Sequence, residues 1–526
     1  DPASDDDLLI LDLDSVWNGV TWQGESDTVL GDPGITQPSL AVRNRRSARV
    51  EPGATATLDT VTFINGESPG ISLGREPAAG TFLVPAGATL AMSGAAELTN
   101  TVDSSVVVDG DIVVRDGASP TDVQIFNRGT MALRGSVLVE AAPVDDRSAS
   151  VLTNNGELML AGGSQVQGAL VNGSTGTLIV DGGEAVVGDS AGGFANRGTV
   201  LVSDGTLRVI QWDDATVLTL GEESGDPSTV LEEGAWEVEN ASVFGPNFFA
   251  DVLSISEGVR LRLSGDAYFQ GLPRVSHDFF QNGTLELEDL AFEVDSGGSF
   301  FNNGTLRLDG ATIEAFRVIN NGTVEIGASP GTATIDGDFE HAGVLEIELA
   351  GTRPGIDYDQ LVVNGTTTFQ PGGQISITLL DPDEGDGVSE LFTPRTGDVF
   401  EIIVTDELVL AAGVDADALV TFTNAPGGLR FDVDVLEQDG LFGLLLNAQF
   451  GIDQALLGTL TGNPLAVAGY VDGLLKSGAL DDDPRLDAVG DLAVLDGVTF
   501  AAVADQLHAE AYASAPTLGA FERVWV

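Results

Sequence analysis

From about residue 125 to residue 350, apolar and polar side chains alternate in short runs, and most runs begin just after a glycine. The runs read NRGTMAL at Asn127, NNGELML at Asn154, STGTLIV at Ser174 and NRGTVLV at Asn196. Further on come QNGTLEL at Gln281, NNGTLRL at Asn302, NNGTVEI at Asn320 and HAGVLEI at His341. Leu306 and Leu308 flank Arg307, Leu285 and Leu287 flank Glu286, and Val324 and Ile326 flank Glu325. A period of two is that of a strand with one face inward. The turn glycines fall at 129, 156, 176 and 198, then at 283, 304, 322 and 343, with gaps of 27, 20 and 22, then 21, 18 and 21.

A repeat of that length is too short for a propeller blade of roughly 40 residues and fits one coil of a parallel β-helix. The pattern predicts an all-β fold: a right-handed parallel β-helix (solenoid) with a C-terminal β cap and a short helical tail. Asn and Gly at the turns suggest positive φ. Stacking in register predicts an inner aliphatic column of Leu285, Leu306 and Val324. It also places Phe280, Phe301 and Ile319 near the preceding corner and makes Asn282, Asn303 and Asn321 a side-chain ladder.

Four segments follow from the pattern. Residues 1–50, with Trp17, Trp22 and the basic group Arg43, Arg45, Arg46 and Arg49, read as an N-terminal cap or entry segment. Residues 51–330 carry the β-helix repeats, less regularly between 205 and 275. Residues 331–450 lose the period and read as a β cap over the last open coil. Residues 451–526 form a helical linker. There Asn463 is an N-cap with Pro464 at the first helical position, and Lys476 and Gly478 mark the end. A second helix is expected from Val498 to Ser514, with Phe500, Val503, Leu507 and Ala511 on one stripe.

Composition narrows the functions. Against 22 basic residues stand 81 acidic ones, a formal charge of −59, so nucleic acid and anionic membrane surfaces are poor partners. Cysteine is absent, which removes disulfides and thiolate metal sites and suits an exported protein. The chain opens at Asp1 rather than methionine, as one relieved of a leader would. No apolar run is long enough to span a bilayer as a helix.

The stretch from Gly327 to Val404 resembles the end of autotransporter passengers: the SPG turn at Ser329, the strand GVLEIELAG, the segment DYDQLVVNG at Asp357 and the closing GDVFEI at Gly397. The tail VADQLHAEAYASAPTLGAFERVWV from Val503 is similar to the helical linker that precedes the outer-membrane barrel in that family. The resemblance covers roughly the last two hundred residues; the earlier repeats fit by architecture alone. It implies a Gram-negative bacterium, export, and display at the cell surface, with the barrel outside this sequence.

Candidate chemistry is sparse. Gly188-Asp189-Ser190-Ala191-Gly192-Gly193 looks like a serine-protease nucleophile loop, but the histidines, His277, His341 and His508, all lie downstream, where that fold needs its base upstream. His341 stands at a turn position that is asparagine elsewhere. A polysaccharide lyase or glycosidase would need carboxylates with arginine on one exposed strand face, and no such set recurs across adjacent coils with basic partners. The best metal candidate is Asp381, Asp383 and Asp386 in the loop DPDEGDG, whose oxygens suit calcium; a solvated acidic hairpin is the simpler reading of the same residues.

These features predict a non-enzymatic, extracellular passenger at the bacterial cell surface. It would be a rigid rod of roughly 70–90 Å, at about 4.8 Å per coil, meeting other cells, matrix or surface ligands. The alternatives are a filament or surface-layer subunit joined end to end and a polysaccharide-active enzyme on a β-helix.

Overall fold

The computed structural model describes residues between Leu8 and Lys476, leaving out 66–79, 116–122, 141–149, 221–227, 246–251, 382–390, 451–459 and several shorter stretches, together with 1–7 and 477–526. The chain is an all-β parallel β-helix, and it divides into two compact units, Asp1–Asp295 and Ser296–Val526.

In the first unit each regular coil is three short strands. Gln124–Asn127, Thr130–Leu133 and Ser136–Glu140 make one such coil. Each strand pairs in parallel with its counterpart one coil on: Asn127 with Asn154, Met131 with Leu158, Val137 with Val166. Coils begin earlier than the repeat suggests. Leu8–Leu11, Ser15–Trp17 and Thr21–Gln23 already pair in parallel with Leu40–Asn44, Ser47–Val50 and Thr55–Asp59, so the entry segment is itself a coil. Alternation supplies the core: Phe82, Val106, Met131, Leu158, Leu178 and Val200 stack one per coil and are at most 1% exposed. Between 205 and 275, aromatic rings fill the interior. Trp236 lies edge-on to Phe194, Trp212 and Phe269, with ring centroids 5.1–6.0 Å apart.

At the corner between the first and second strands of the coils from Asn65 to Asn196 stands an asparagine whose amide bridges to the next coil; in the two coils after these the first strand ends in Leu231 and Ile255 instead. Nδ2 of Asn100 donates to Asn127 Oδ1 at 2.8 Å and to the Thr130 carbonyl at 3.0 Å. Asn127 reaches Asn154 and Glu157 in the same way, Asn154 reaches Asn172 and Thr177, and Asn172 reaches Asn196 and Thr199, all within 2.8–3.0 Å. These asparagines are 0–2% exposed. The turn glycine that follows, two residues on from Asn127, Asn154 and Asn196 and four on from Asn172, is needed for closeness rather than for handedness. None of Gly129, Gly156, Gly176 or Gly198 has the positive φ expected of it. A Cβ on any of them would instead sit 2.2–2.3 Å from a carbonyl oxygen of the coil before.

The second unit repeats the scheme. Its ladder runs Asn302, Asn320, His341, so that two members stand one residue before the predicted Asn303 and Asn321; in the first unit the buried Gln281 likewise precedes the predicted Asn282. In each Asn-Asn pair the first asparagine is buried, while the second is exposed, with Asn321 Nδ2 only 3.0 Å from Asn303 Oδ1. The predicted corner aromatics shift likewise: Phe279, Phe300 and Val318 are buried, whereas Phe280 is 40% exposed. The reason is the period of two, by which a one-residue slip exchanges inside for outside. Leu285, Leu306 and Val324 are all fully buried as expected.

Parallel coils also run well past 331, where the sequence suggests that the cap begins. Thr332–His341 pairs in parallel with Gln360–Phe369, which pairs with Val399–Leu410, and Gln374–Leu379 pairs with Val420–Phe422. Beyond these coils the sense changes. Leu441–Phe450 is antiparallel to both Val399–Leu410 and Leu429–Gln438, and this hairpin closes the sheet edge. The helix Asn463–Lys476 follows where predicted and buries Val467, Ala468 and Val471. The expected helix over 498–514 lies outside the described residues.

Two substitutions separate the ladder from its neighbours. Asn154→Ala deletes a buried donor and acceptor together and should cost about 2–4 kcal/mol, whereas Asn155→Ala, at an exposed position, should stay within about 0.5 kcal/mol; urea unfolding measures both. Gly156→Ala drives a methyl into the Gly129 carbonyl and should cost more than Gly163→Ala, where φ is +92° but space is open. Equal losses would show that conformation rather than approach fixes the turn glycine.

Candidate functional site

The outward side chains of adjacent coils come into register, and this brings arginines beside carboxylates. In the first unit Arg260 lies 2.8 Å from Glu286 and 3.0 Å from Glu237, on the coils to either side, and Arg262 pairs with Glu288. In the second unit Arg307 pairs with Glu325 and Arg317 with Glu340, each one coil on. These pairs are partly exposed, and each stabilises by no more than about 1 kcal/mol. Their larger effect is to occupy the few cations, so the outer surface stays acidic.

The densest group lines a groove of about 230 Å³ in the second unit, among Arg307, Glu325, Glu346, Glu348, Asp359 and Thr378. Register builds it: Arg307 faces Glu325, Glu325 faces Glu346, and Glu348 faces Thr378. Burial and then the Glu325 charge raise the Glu346 pKa, against a smaller pull from Arg307. Asp359 is fully buried, and its two oxygens accept the N–H groups of Gly331 at 2.8 Å and Glu348 at 2.7 Å. Burial nonetheless pushes its pKa up to about 8, since two N–H donors do not replace lost water. Sequence reasoning found no carboxylate set across coils with a basic partner, and the structure corrects that. The signal was present: aligning NNGTLRL, NNGTVEI and HAGVLEI on their turn glycines puts Arg307, Glu325 and Glu346 in one column.

His341 ends the amide ladder. It occupies the asparagine position, as read, and its side chain is fully buried. Asn320 Nδ2 donates to its Nδ1 at 3.0 Å, and its Nε2 donates to the Gln374 carbonyl at 2.9 Å. Asn320 Nδ2 also bonds the Val344 carbonyl and its Oδ1 accepts from Asn302, so the amide cannot turn round and the imidazole is held neutral with its proton on Nε2. The next residue in the column is Phe369, which offers no amide; its ring packs edge-on to the imidazole at 5.4 Å.

Asp381 is half-buried, while Asp383 and Asp386 lie outside the described residues, as do Asp189, Ser190 and His508. His277 is exposed, with Nδ1 3.0 Å from the Ser276 hydroxyl. Among the described residues no three His, Asp or Glu side chains are grouped to hold a metal ion, and no helix is long and apolar enough to cross a membrane. A scan against protein-family models and a search of curated proteins give no match.

The ladder terminus predicts a pH dependence. Burial lowers the His341 pKa from 6.5 to about 4. The unfolded chain therefore takes up its proton first as pH falls. The stability contributed by the neutral ring is whole above about pH 6.5 and is lost between there and about pH 4, roughly 3 kcal/mol in all. His341→Asn restores the residue used elsewhere in the ladder and should remove this part of the acid sensitivity in urea unfolding at pH 7 and pH 4. Unchanged sensitivity would contradict the assignment.

Proposed function

We propose that the chain is the surface-exposed structural and adhesive passenger of an autotransporter-type protein, a β-helical spacer that mediates contact with other cells, matrix or surface ligands. The observation that carries the reading is the stack of coils stapled inside by amides and outside by ion pairs, and closed by an antiparallel hairpin. Such a stack resists local opening and solvates well. Support also comes from the stretch that resembles passenger ends, Gly327 to Val404, whose described strands belong to the last parallel coils before that hairpin. Calcium at the loop of Asp381, Asp383 and Asp386 is a subsidiary proposal.

A second reading, a polysaccharide-active enzyme, is favoured by the groove around Glu346 and Asp359, where carboxyl groups of raised pKa stand beside a carboxylate paired with arginine. Beads coated with the chain, with and without millimolar calcium, decide between them when applied to cell layers and matrix. Retention several-fold above beads coated with a neutral globular protein, with no sugar released from a polysaccharide panel, is expected. Retention equal to that control, with sugar release abolished by Glu346→Gln, would replace the adhesive reading with the enzymatic one.

A further inference from the structure

One outward strip of the first unit is nearly free of charge, as is the outward column Ile64, Thr99, Phe126, Thr153 and Val171 on the first strands. On the second strand of six successive coils, Leu83, Val107, Ala132, Met159, Ile179 and Leu201 align in one column. Beside it runs a second column of Thr81, Ser105, Thr130, Glu157, Thr177 and Thr199. Their inward neighbours fill the core, so these side chains face out; all are half-buried or exposed, Met159 most among the aliphatic ones at 41%. Of the twelve, Glu157 alone is charged. The aliphatic column stops at a charge on both ends: Arg49 precedes Leu83 and Glu237 follows Leu201.

We propose that this strip docks a second copy of the chain, face to face and with the coil stacks antiparallel. The inference goes beyond the adhesive reading and does not depend on it. Two copies each carrying −59 repel over most of their surface, and the strip offers an approach almost free of like charge. A two-fold axis along the strands, passing between the third and fourth coils, sets each column against its own copy in reverse order. Leu83 then meets Leu201, Val107 meets Ile179, and the smallest member, Ala132, meets the most protruding, Met159. Glu157 meets the Thr130 hydroxyl, and Arg49 meets Glu237, which within its own chain pairs with Arg260 at 3.0 Å. A parallel arrangement would set Arg49 against Arg49 and Met159 against Met159. The columns hold no aromatic ring on which a sugar could stack, so a glycan is the poorer occupant. The strip covers roughly 300 Å² on each copy, from about 4.8 Å per coil and two columns. That is well below the roughly 800 Å² per partner of a stable complex, so the dimer is transient and strengthens as salt shortens the range of repulsion.

The absence of cysteine allows a direct test on the full chain. Leu83→Cys and Leu201→Cys proteins are mixed at high concentration in about 1 M salt, where charges are screened beyond about 3 Å. They are then treated with a bismaleimide of about 10 Å reach, the spacing of facing sheets. The mixture should give a crosslinked heterodimer. Leu83→Cys alone should not, because its copies lie about 24 Å apart in the antiparallel pair. Ile179→Asp in both proteins should reduce the heterodimer at least tenfold while circular dichroism stays unchanged. No crosslink in the mixture, equal crosslinking of Leu83→Cys with itself, or indifference to Ile179→Asp would each overturn the proposal.

Discussion

A buried primary amide has two protons and two lone pairs to satisfy, and in the interior of a coil stack water cannot supply the partners. Here the partner is the same amide one coil on, together with a backbone carbonyl at the start of the following strand. In the coils that carry the ladder, register and spacing depend on that bond. It fixes the register between coils, because a slip of one residue replaces Asn127 with the exposed Arg128 at the corner. It also fixes the distance between coils, which is why the turn glycine that follows tolerates no Cβ. Since every Nδ2 of the ladder points towards the C-terminal end, the chain of bonds has a direction and must end on a group that accepts without donating onward in kind. In the second unit His341 is that group.

The coil, its length and the identity of the inward residues were legible in the sequence because a period of two and a recurrent glycine are local signals. Leu285, Leu306 and Val324 are inside for that reason. The register of the corner was not legible. In NNG either asparagine suits a turn, and only the stacked neighbour shows that Asn302 and Asn320 are inside while Asn303 and Asn321 are out. The extent of the coils was misread for a related reason. Past residue 331 the strands lengthen and the Asn-Gly mark fades, yet parallel pairing continues through Val420–Phe422. The ionic columns were hidden by abundance. With 81 acidic residues, carboxylates near an arginine mean little until register places them in adjacent coils.

Inside and outside thus divide the work. The amide ladder and the aliphatic columns hold the coils at a spacing set by the backbone, and this leaves the outward positions free to vary. Acids are scattered among uncharged side chains there, and many of the described arginines are spent on stapling neighbours. Two outward regions concentrate one kind or the other: the carboxylate groove of the second unit and the uncharged strip of the first. On the proposed reading, those two regions are places where a passenger would make specific contact.

Exchange of the ladder's side-chain amide protons tests the central claim most directly. With asparagine selectively labelled, the Nδ2 protons of Asn127, Asn154 and Asn172 should exchange with solvent only through opening of the coil stack, orders of magnitude more slowly than those of Asn155. If the buried and exposed amides exchange at the same rate, the ladder does not hold the coils together.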